Sequence, residues 1–107
     1  MMARALVNVP KEARQGEIIE IRAMIAHPME TGYRVGTNGT NIPRDIIRRF
    51  ACTYNGEEVF RADLHPAVSA NPFFAFTLVA VASGTIEFTW TDDAGRTQTA
   101  SAMITVS

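Results

Sequence analysis

SGTIEFTWTDDAG, residues 83–95, is the stretch that decides the fold class. Between Thr85 and Thr91 polar and apolar side chains alternate strictly, so that Ile86, Phe88 and Trp90 share one face. A period of two is what a half-buried β-strand requires. The Ser-Gly before this segment and the Asp-Asp-Ala-Gly after it are turn signals. We therefore predict a strand that is bounded by a turn on each side.

The same reasoning extends outward in both directions along the chain. Asn55-Gly56 separates two strand-like runs, and this dipeptide is the strongest short signal for a hairpin. We predict a turn at Lys11–Gly16, which is polar and ends in glycine. The other predicted strands are Ala3–Val9, Glu17–Ala26, Ile46–Tyr54, Glu57–Leu64, Phe73–Ala82 and Arg96–Val106. Short strands with turns at close intervals predict an all-β, immunoglobulin-like β-sandwich of about seven antiparallel strands, in one domain over residues 1–107.

Composition agrees with a globular β domain and excludes several classes of protein. Val, Ile and Thr total 28 of 107 residues, whereas Leu occurs three times, and β-branched side chains favour strands. The net charge of −1 argues against a nucleic-acid partner. One cysteine excludes an internal disulfide framework and a Cys-rich zinc site. No apolar run approaches the roughly 20 residues that span a membrane.

The predicted strand Phe73–Ala82 is apolar on both faces. One face carries Phe74, Phe76, Leu78 and Ala80, and the other carries Phe73, Ala75, Val79 and Val81. Such a strand is either central and covered on both sides, or one of its sides is an interface. Because a sandwich of this size has a single interior, we favour the interface.

Residues 27–44 form a long irregular stretch that holds three glycines and two prolines. Loops of this length are often functional, although this one could equally be a surface cover. His27 and Met29 could suggest copper or haem ligation, but two ligands without a third favour His27 as a hydrogen-bond donor that anchors the loop. Arg34 and Arg44 could line an anion site if the loop folds back, and solvated partner contacts are the alternative.

Cys52 shares a strand face with Phe50 and Tyr54. Core packing is the usual role of such a cysteine, and a nucleophile or sulfur acceptor is the alternative. The sequence contains no nucleophile elbow, phosphate-binding glycine loop, metal signature or paired carboxylates. We therefore predict a binding or scaffold module rather than an enzyme, with no catalytic residue, no metal and no cofactor.

A set of short motifs resembles one family, SoxZ, the small subunit of the SoxYZ sulfur-oxidation carrier. The resemblance covers nearly the whole chain, and the HPMETG run at His27–Gly32 is its most specific part. The other motifs are Ile42-Pro43-Arg44 with Ile47, Asn55-Gly56, Asn71-Pro72-Phe73, Ser83-Gly84, and Trp90-Thr91-Asp92 with Gly95.

This resemblance implies a function that the residues alone do not indicate. In the family, SoxY carries thiosulfate and its oxidation intermediates on a cysteine near the end of a flexible C-terminal arm. The present sequence ends without a Gly-Gly-Cys, so we expect it to be the partner that pairs with SoxY as a heterodimer and presents the carrier to other Sox proteins. Cys52 is not a family feature and receives no carrier role.

The resemblance also changes the expected location, and it suggests which residues bind SoxY. The absence of a signal peptide would indicate the cytoplasm, whereas co-export with SoxY implies the periplasm. We expect the isolated chain to form a homodimer through the surface that SoxY would cover. A ligand-binding or adhesion module outside the cytoplasm is the alternative function. The predicted partner-binding residues are His27, Pro28, Met29, Glu30, Thr31, Gly32, Phe73, Val79 and Val81.

Overall fold

Eight β-strands and no helix make up the regular structure of the residues that the computed structural model describes, which are 4–66, 68 and 70–107. Ala3, where we predicted the first strand to begin, lies outside these residues. The strands are β1 (Arg4–Asn8), β2 (Glu12–Ala13), β3 (Ile18–Ala26), β4 (Ile47–Tyr54), β5 (Glu57–Asp63), β6 (Phe73–Val79), β7 (Gly84–Asp92) and β8 (Thr97–Val106).

The strands form two sheets, and this confirms the predicted β-sandwich. One sheet has the order β1-β3-β6, and the other has the order β2-β8-β7-β4-β5. Neighbouring strands are antiparallel except for β2 and β8, which pair in parallel. The predicted Asn55-Gly56 turn joins β4 to β5, and both residues have positive φ. The described residues include no helix of the length and hydrophobicity that crossing a membrane requires.

The prediction of about seven strands missed β2, because we predicted a turn at Lys11–Gly16. Within that segment Glu12 and Ala13 pair with Thr105 and Val106 at the end of β8. The backbone N–H of Thr105 donates to the Lys11 carbonyl at 2.9 Å, and Ala13 is buried. Two residues are too few to show a period of two, so the sequence pattern could not reveal this strand.

Strand β6 ends at Val79 rather than at the predicted Ala82, and Tyr54 provides the physical reason. The Tyr54 hydroxyl oxygen accepts the backbone N–H groups of Val81 and Ala82 at 3.3 and 3.2 Å. The same hydroxyl donates to the Ala82 carbonyl. These backbone groups are therefore satisfied by a side chain from the other sheet, and the ladder with β3 stops.

Aromatic rings fill the space between the two sheets. Ile86, Phe88 and Trp90 are fully buried, as their alternation predicts. From the opposite sheet, Phe74 stacks on Phe50 with a centroid distance of 4.4 Å. The same sheet contributes Phe76, which stacks on Phe60 at 4.3 Å. The core thus consists of side chains that alternate inward from both sheets, as in other sandwiches.

Candidate functional site

The His27–Gly32 loop, which we predicted to contact a partner, is tied to the body of the domain. His27 and Asn71 are linked by two hydrogen bonds, since the side-chain Oδ1 of Asn71 accepts the His27 N–H at 2.9 Å and the His27 carbonyl accepts the Asn71 N–H at 2.7 Å. Met29 has a φ of 52° and is buried. Its sulfur accepts the Ile47 N–H at 3.2 Å.

These contacts change the role that we predicted for His27 and the reason for including Met29. The His27 ring anchors the loop as a hydrogen-bond acceptor and not as a donor, because its Nδ1 accepts the Met29 N–H at 2.9 Å. We predicted Met29 as a partner-binding residue because an exposed apolar loop is unfavourable in water. The Met29 side chain is, however, already buried within this chain. Within the loop, Pro28 is the exposed apolar residue that a partner could cover.

His27 and Met29 do not converge on a common point where a metal could bind. The Met29 sulfur faces the Ile47 N–H, whereas His27 Nε2 faces Asp45 Oδ1 at 3.8 Å. In the part of the chain that the structure describes, no three His, Cys, Asp or Glu side chains are grouped as a metal ion would need.

Arg34 and Arg44 are each engaged by a carboxylate and do not form the anion site that we considered. Arg34 binds Glu30 at 2.9 Å, and Arg44 binds both carboxylate oxygens of Asp93 at 2.9 and 2.8 Å. The hydrogen bonds from Arg44 lower the pKa of Asp93 below its ordinary value. Gly32 makes this packing possible, since its φ is +89° and a Cβ there would lie 3.1 Å from the Arg44 Cβ.

The outer face of the three-stranded sheet carries two exposed apolar patches. The first, the Phe73 patch, is the cross-strand row Leu6, Met24 and Phe73. The second, the Val79 patch, consists of the pair Ile18 and Val79 with Val81 beyond it. Phe73 is 58% exposed, Val79 is 51% exposed and Ile18 is 70% exposed. A polar belt that includes the Glu20–Arg22 ion pair separates the two patches.

The structure brings some of the predicted partner-binding residues together and separates others. Phe73 follows Asn71 and Pro72, whose backbones bind His27 and Ile25, so the Phe73 patch adjoins the His27–Gly32 loop. Val79 lies six residues farther along β6, which is roughly 20 Å at about 3.3 Å per residue. A partner that contacts both patches must therefore extend along the whole strand.

A cleft of about 720 Å³ opens at one end of the sandwich, where β3 and β7 end and β1, β4, β6 and β8 begin. Its apolar wall includes Ile25 and Ile47. The lining residues are Arg4, Ile25, Ala26, His27, Pro28, Asp45, Ile47, Ala70, Asn71, Trp90, Asp92, Arg96, Thr97 and Gln98. His27 and Pro28 make the first part of the His27–Gly32 loop one border of this end cleft.

Sequence reasoning missed the end cleft because its residues are scattered along the chain. We interpreted Asp92 as part of a turn and Arg96 as the first residue of a strand. Their carboxylate and guanidinium groups bind each other at 2.8 Å, and Arg96 also reaches Asp45 at 3.4 Å. In an antiparallel pair, the end of one strand lies beside the beginning of its neighbour. The charged residues at these strand ends were the feature of the sequence that could have indicated the cleft.

Cys52 is a core residue and is not accessible in the folded chain. Its side chain is fully buried on β4, opposite Phe88 and Phe60. Burial raises the pKa of the thiol to about 12, which disfavours the thiolate that a nucleophile or sulfur acceptor requires. These observations support the core-packing interpretation over the reactive one.

We expect iodoacetamide at pH 8 to alkylate Cys52 at least about a hundredfold more slowly in the folded chain than in concentrated guanidinium chloride. Burial blocks access, and the raised pKa leaves little thiolate near neutral pH. Intact-mass measurement over time gives both rates on one residue, since the sequence has a single cysteine. Similar rates in the two conditions would show that the thiol is reactive in the native state.

Comparisons with known proteins identify the family and support the fold. The family described as "Sulphur oxidation protein SoxZ" matches residues 7–103. No curated protein sequence matches the chain. A superoxide reductase (neelaredoxin) from Ignicoccus hospitalis is similar in structure, with a TM-score of 0.74 and 18% identity over 96% of this chain and 80% of that one.

Two further solved structures have the same fold. A putative superoxide reductase from Thermotoga maritima has a TM-score of 0.72 and 19% identity over 96% of this chain and 85% of that one. The sulfur carrier protein SoxY from Chlorobium limicola f thiosulfatophilum has a TM-score of 0.67 and 11% identity over 96% of this chain and 78% of that one. At these identities the likeness shows the fold alone. Because the family match spans almost the whole sequence, the chain belongs to the SoxZ family and has a role in the Sox system of sulfur oxidation.

Proposed function

We propose that this chain is the non-catalytic subunit of a SoxYZ sulfur carrier, in which it pairs with SoxY and helps to present the cysteine-bound sulfur intermediates to Sox enzymes. Family membership supports the assignment, and the exposed outer face of the three-stranded sheet is the observation that carries the docking step. In the proposal the pair works in the periplasm, to which SoxY brings it.

The exposed apolar side chains give this face a physical reason to be covered. A soluble monomer rarely leaves contiguous apolar patches in water, and apolar area contributes about 25 cal/mol per Å² when it is buried. The entropic cost of association offsets much of this gain in free energy. Burial of one patch alone is therefore insufficient, and one partner has to cover both patches. The Glu20–Arg22 ion pair lies between the two patches, and a partner has to provide complementary polar groups opposite it. This requirement favours specific pairing over non-specific hydrophobic association.

The size of the face indicates that neighbouring surface must also take part. Three strands at about 4.8 Å spacing, over the 20 Å between the patches, present roughly 300 Å². A stable interface usually covers about 800 Å² on each partner. The interface has to continue beyond the two patches, and the exposed Pro28 in the His27–Gly32 loop is one apolar residue onto which it can extend.

Co-expression with SoxY from the same cells tests the proposal. We expect the tagged chain to copurify SoxY as a 1:1 heterodimer in light-scattering chromatography. After incubation with thiosulfate and the enzyme that loads the carrier, we expect intact-mass measurement to show a sulfur adduct on SoxY and none on this chain. The control is Cys52→Ser, which should pair and present SoxY as the parent chain does.

Two results would contradict the proposal. One is that SoxY elutes separately from the folded chain at micromolar concentration. The other is that the sulfur adduct appears on this chain and disappears with Cys52→Ser. Without SoxY, we propose that the same face pairs with a second copy of the chain, and the elution volume of the isolated protein measures this.

A further inference from the structure

We propose that the end cleft is a binding site for an organic monoanion, a sulfonate or carboxylate group on a short apolar stem. This site borders the proposed SoxY-binding face at His27 and Pro28, but the inference does not depend on that docking. It rests on the hydrogen-bond donors of the cleft that have no acceptor within the described part of the chain.

Both carboxylates of the cleft are engaged by Arg96, and Arg4 brings the formal charge of these four side chains to zero. Asp92 accepts the Arg96 Nε at 2.8 Å, and its other oxygen accepts the backbone N–H groups of Ala94 and Arg96 at 3.0 and 2.9 Å. Asp45 receives the remaining arm of Arg96 at 3.4 Å. With no net negative charge among these side chains, the cleft does not favour a cationic ligand.

The donors of the cleft, by contrast, are in excess. Arg4 forms no ion pair among residues 4–66, 68 and 70–107, where every ion pair found joins other side chains. Because His27 Nδ1 accepts the Met29 N–H, the proton of the neutral ring lies on Nε2, which is 3.8 Å from Asp45 and beyond hydrogen-bond distance. One cation and one ring N–H thus remain for an acceptor that enters the cleft.

Trp90 supplies a second and independent observation. It forms part of the cleft wall, and its indole N–H is buried without a hydrogen-bond partner in the described part of the chain. A buried unpaired donor is energetically unfavourable, so such groups in native proteins usually have a ligand or another function as explanation.

The apolar walls and the volume of the cleft indicate which chemical group accompanies the anionic end of the ligand. Ile25, Ala26, Pro28, Ile47 and Ala70 give it apolar walls between the two sheets. A volume of about 720 Å³ falls within the range of small-molecule sites. A bare inorganic anion would leave these walls uncovered, whereas a short alkyl chain ending in an oxyanion satisfies both the walls and the donors.

Because the sequence has a single tryptophan, the indole signal of Trp90 measures occupancy of the site directly. In a ¹H–¹⁵N spectrum the chain has one indole signal, and we expect butane-1-sulfonate to shift it saturably. Butyrate should act in the same way, thiosulfate should bind more weakly because it lacks the stem, and n-butylammonium should cause no saturable shift. The variant Arg4→Gln should raise the Kd for butane-1-sulfonate about tenfold, as expected for one lost charge-assisted hydrogen bond.

Arg14→Gln is the matched control, because Arg14 is exposed, follows β2 and lies at the opposite end of the sandwich from the cleft. It makes the same change in net charge and should leave the Kd unchanged. The inference is overturned if butane-1-sulfonate gives no saturable shift, if butylammonium shifts the signal equally, or if Arg14→Gln weakens binding as much as Arg4→Gln. Since SoxY is not in the experiment, failure here does not affect the proposed carrier function.

Discussion

Replacing Phe50 by alanine is expected to lower the free energy of unfolding by about 3–5 kcal/mol, the usual range for removing a buried aromatic ring. Phe50 is fully buried and lies at the centre of the aromatic core. Its ring stacks on Phe74 and lies 5.2 Å from Trp90, between centroids, so it joins the two sheets. The neighbouring β-strands are held by their own ladders and cannot collapse fully into the space that the ring leaves.

Phe73→Ala is the control for this prediction because it makes the same chemical change one residue from the core side chain Phe74. Phe73 is 58% exposed on the outer face, so at protein concentrations where the chain is monomeric its loss should change the free energy of unfolding by less than about 1 kcal/mol. Equilibrium unfolding in urea, followed by Trp90 fluorescence, measures both variants. Equal destabilisation by the two substitutions would mean that Phe50 is not the centre of the core.

The difference between these two phenylalanines shows what the sequence can predict. Strict alternation assigned Phe88 and Trp90 to the interior, and the turns at Asn55-Gly56 and Gly95 delimited the strands because they require positive φ. Alternation in β6 also separated Phe74 from Phe73 correctly. Local pattern is sufficient here because each of these features depends only on neighbours within a few residues.

Features that depend on distant contacts could not be predicted in the same way. Strand β2 exists through its pairing with Thr105 and Val106, and β6 ends where the Tyr54 hydroxyl takes the Val81 and Ala82 N–H groups. The burial of Met29 depends on the start of β4, since its sulfur accepts the Ile47 N–H. Each of these outcomes is decided by a tertiary partner that a one-dimensional pattern does not contain.

The end cleft illustrates the same limit for a candidate site. Arg4 and Arg96 are separated by nearly the whole chain, and only the antiparallel strand order brings them to one end of the sandwich. No spacing rule connects such residues, in contrast to a metal or phosphate motif held within one loop. The outer apolar face was accessible to sequence reasoning because the three residues named for it are close in sequence, Phe73 and Val79 within β6 and Val81 just after it.

Substituting Val79→Asp is expected to weaken binding of SoxY by about a hundredfold, or roughly 3 kcal/mol, while the chain stays folded. Val79 pairs with Ile18 in the Val79 patch and is half exposed in the free chain, so an aspartate there remains hydrated. In the complex the same carboxylate would be desolvated against an apolar surface without a partner, and that penalty falls on the bound state alone.

Val59→Asp provides the matched control, since it places the same charge on an exposed valine of a strand in the other sheet. Both variants make the same change in net charge at a solvent-exposed valine, although Val59 lies at a β-bulge and Val79 is paired with Ile18. Titration calorimetry with SoxY should give a Kd near that of the parent chain for Val59→Asp and a large increase for Val79→Asp. If the two variants bind alike, the outer face of β1, β3 and β6 is not the SoxY-binding surface. If Val59→Asp is the one that fails, SoxY docks on the five-stranded sheet.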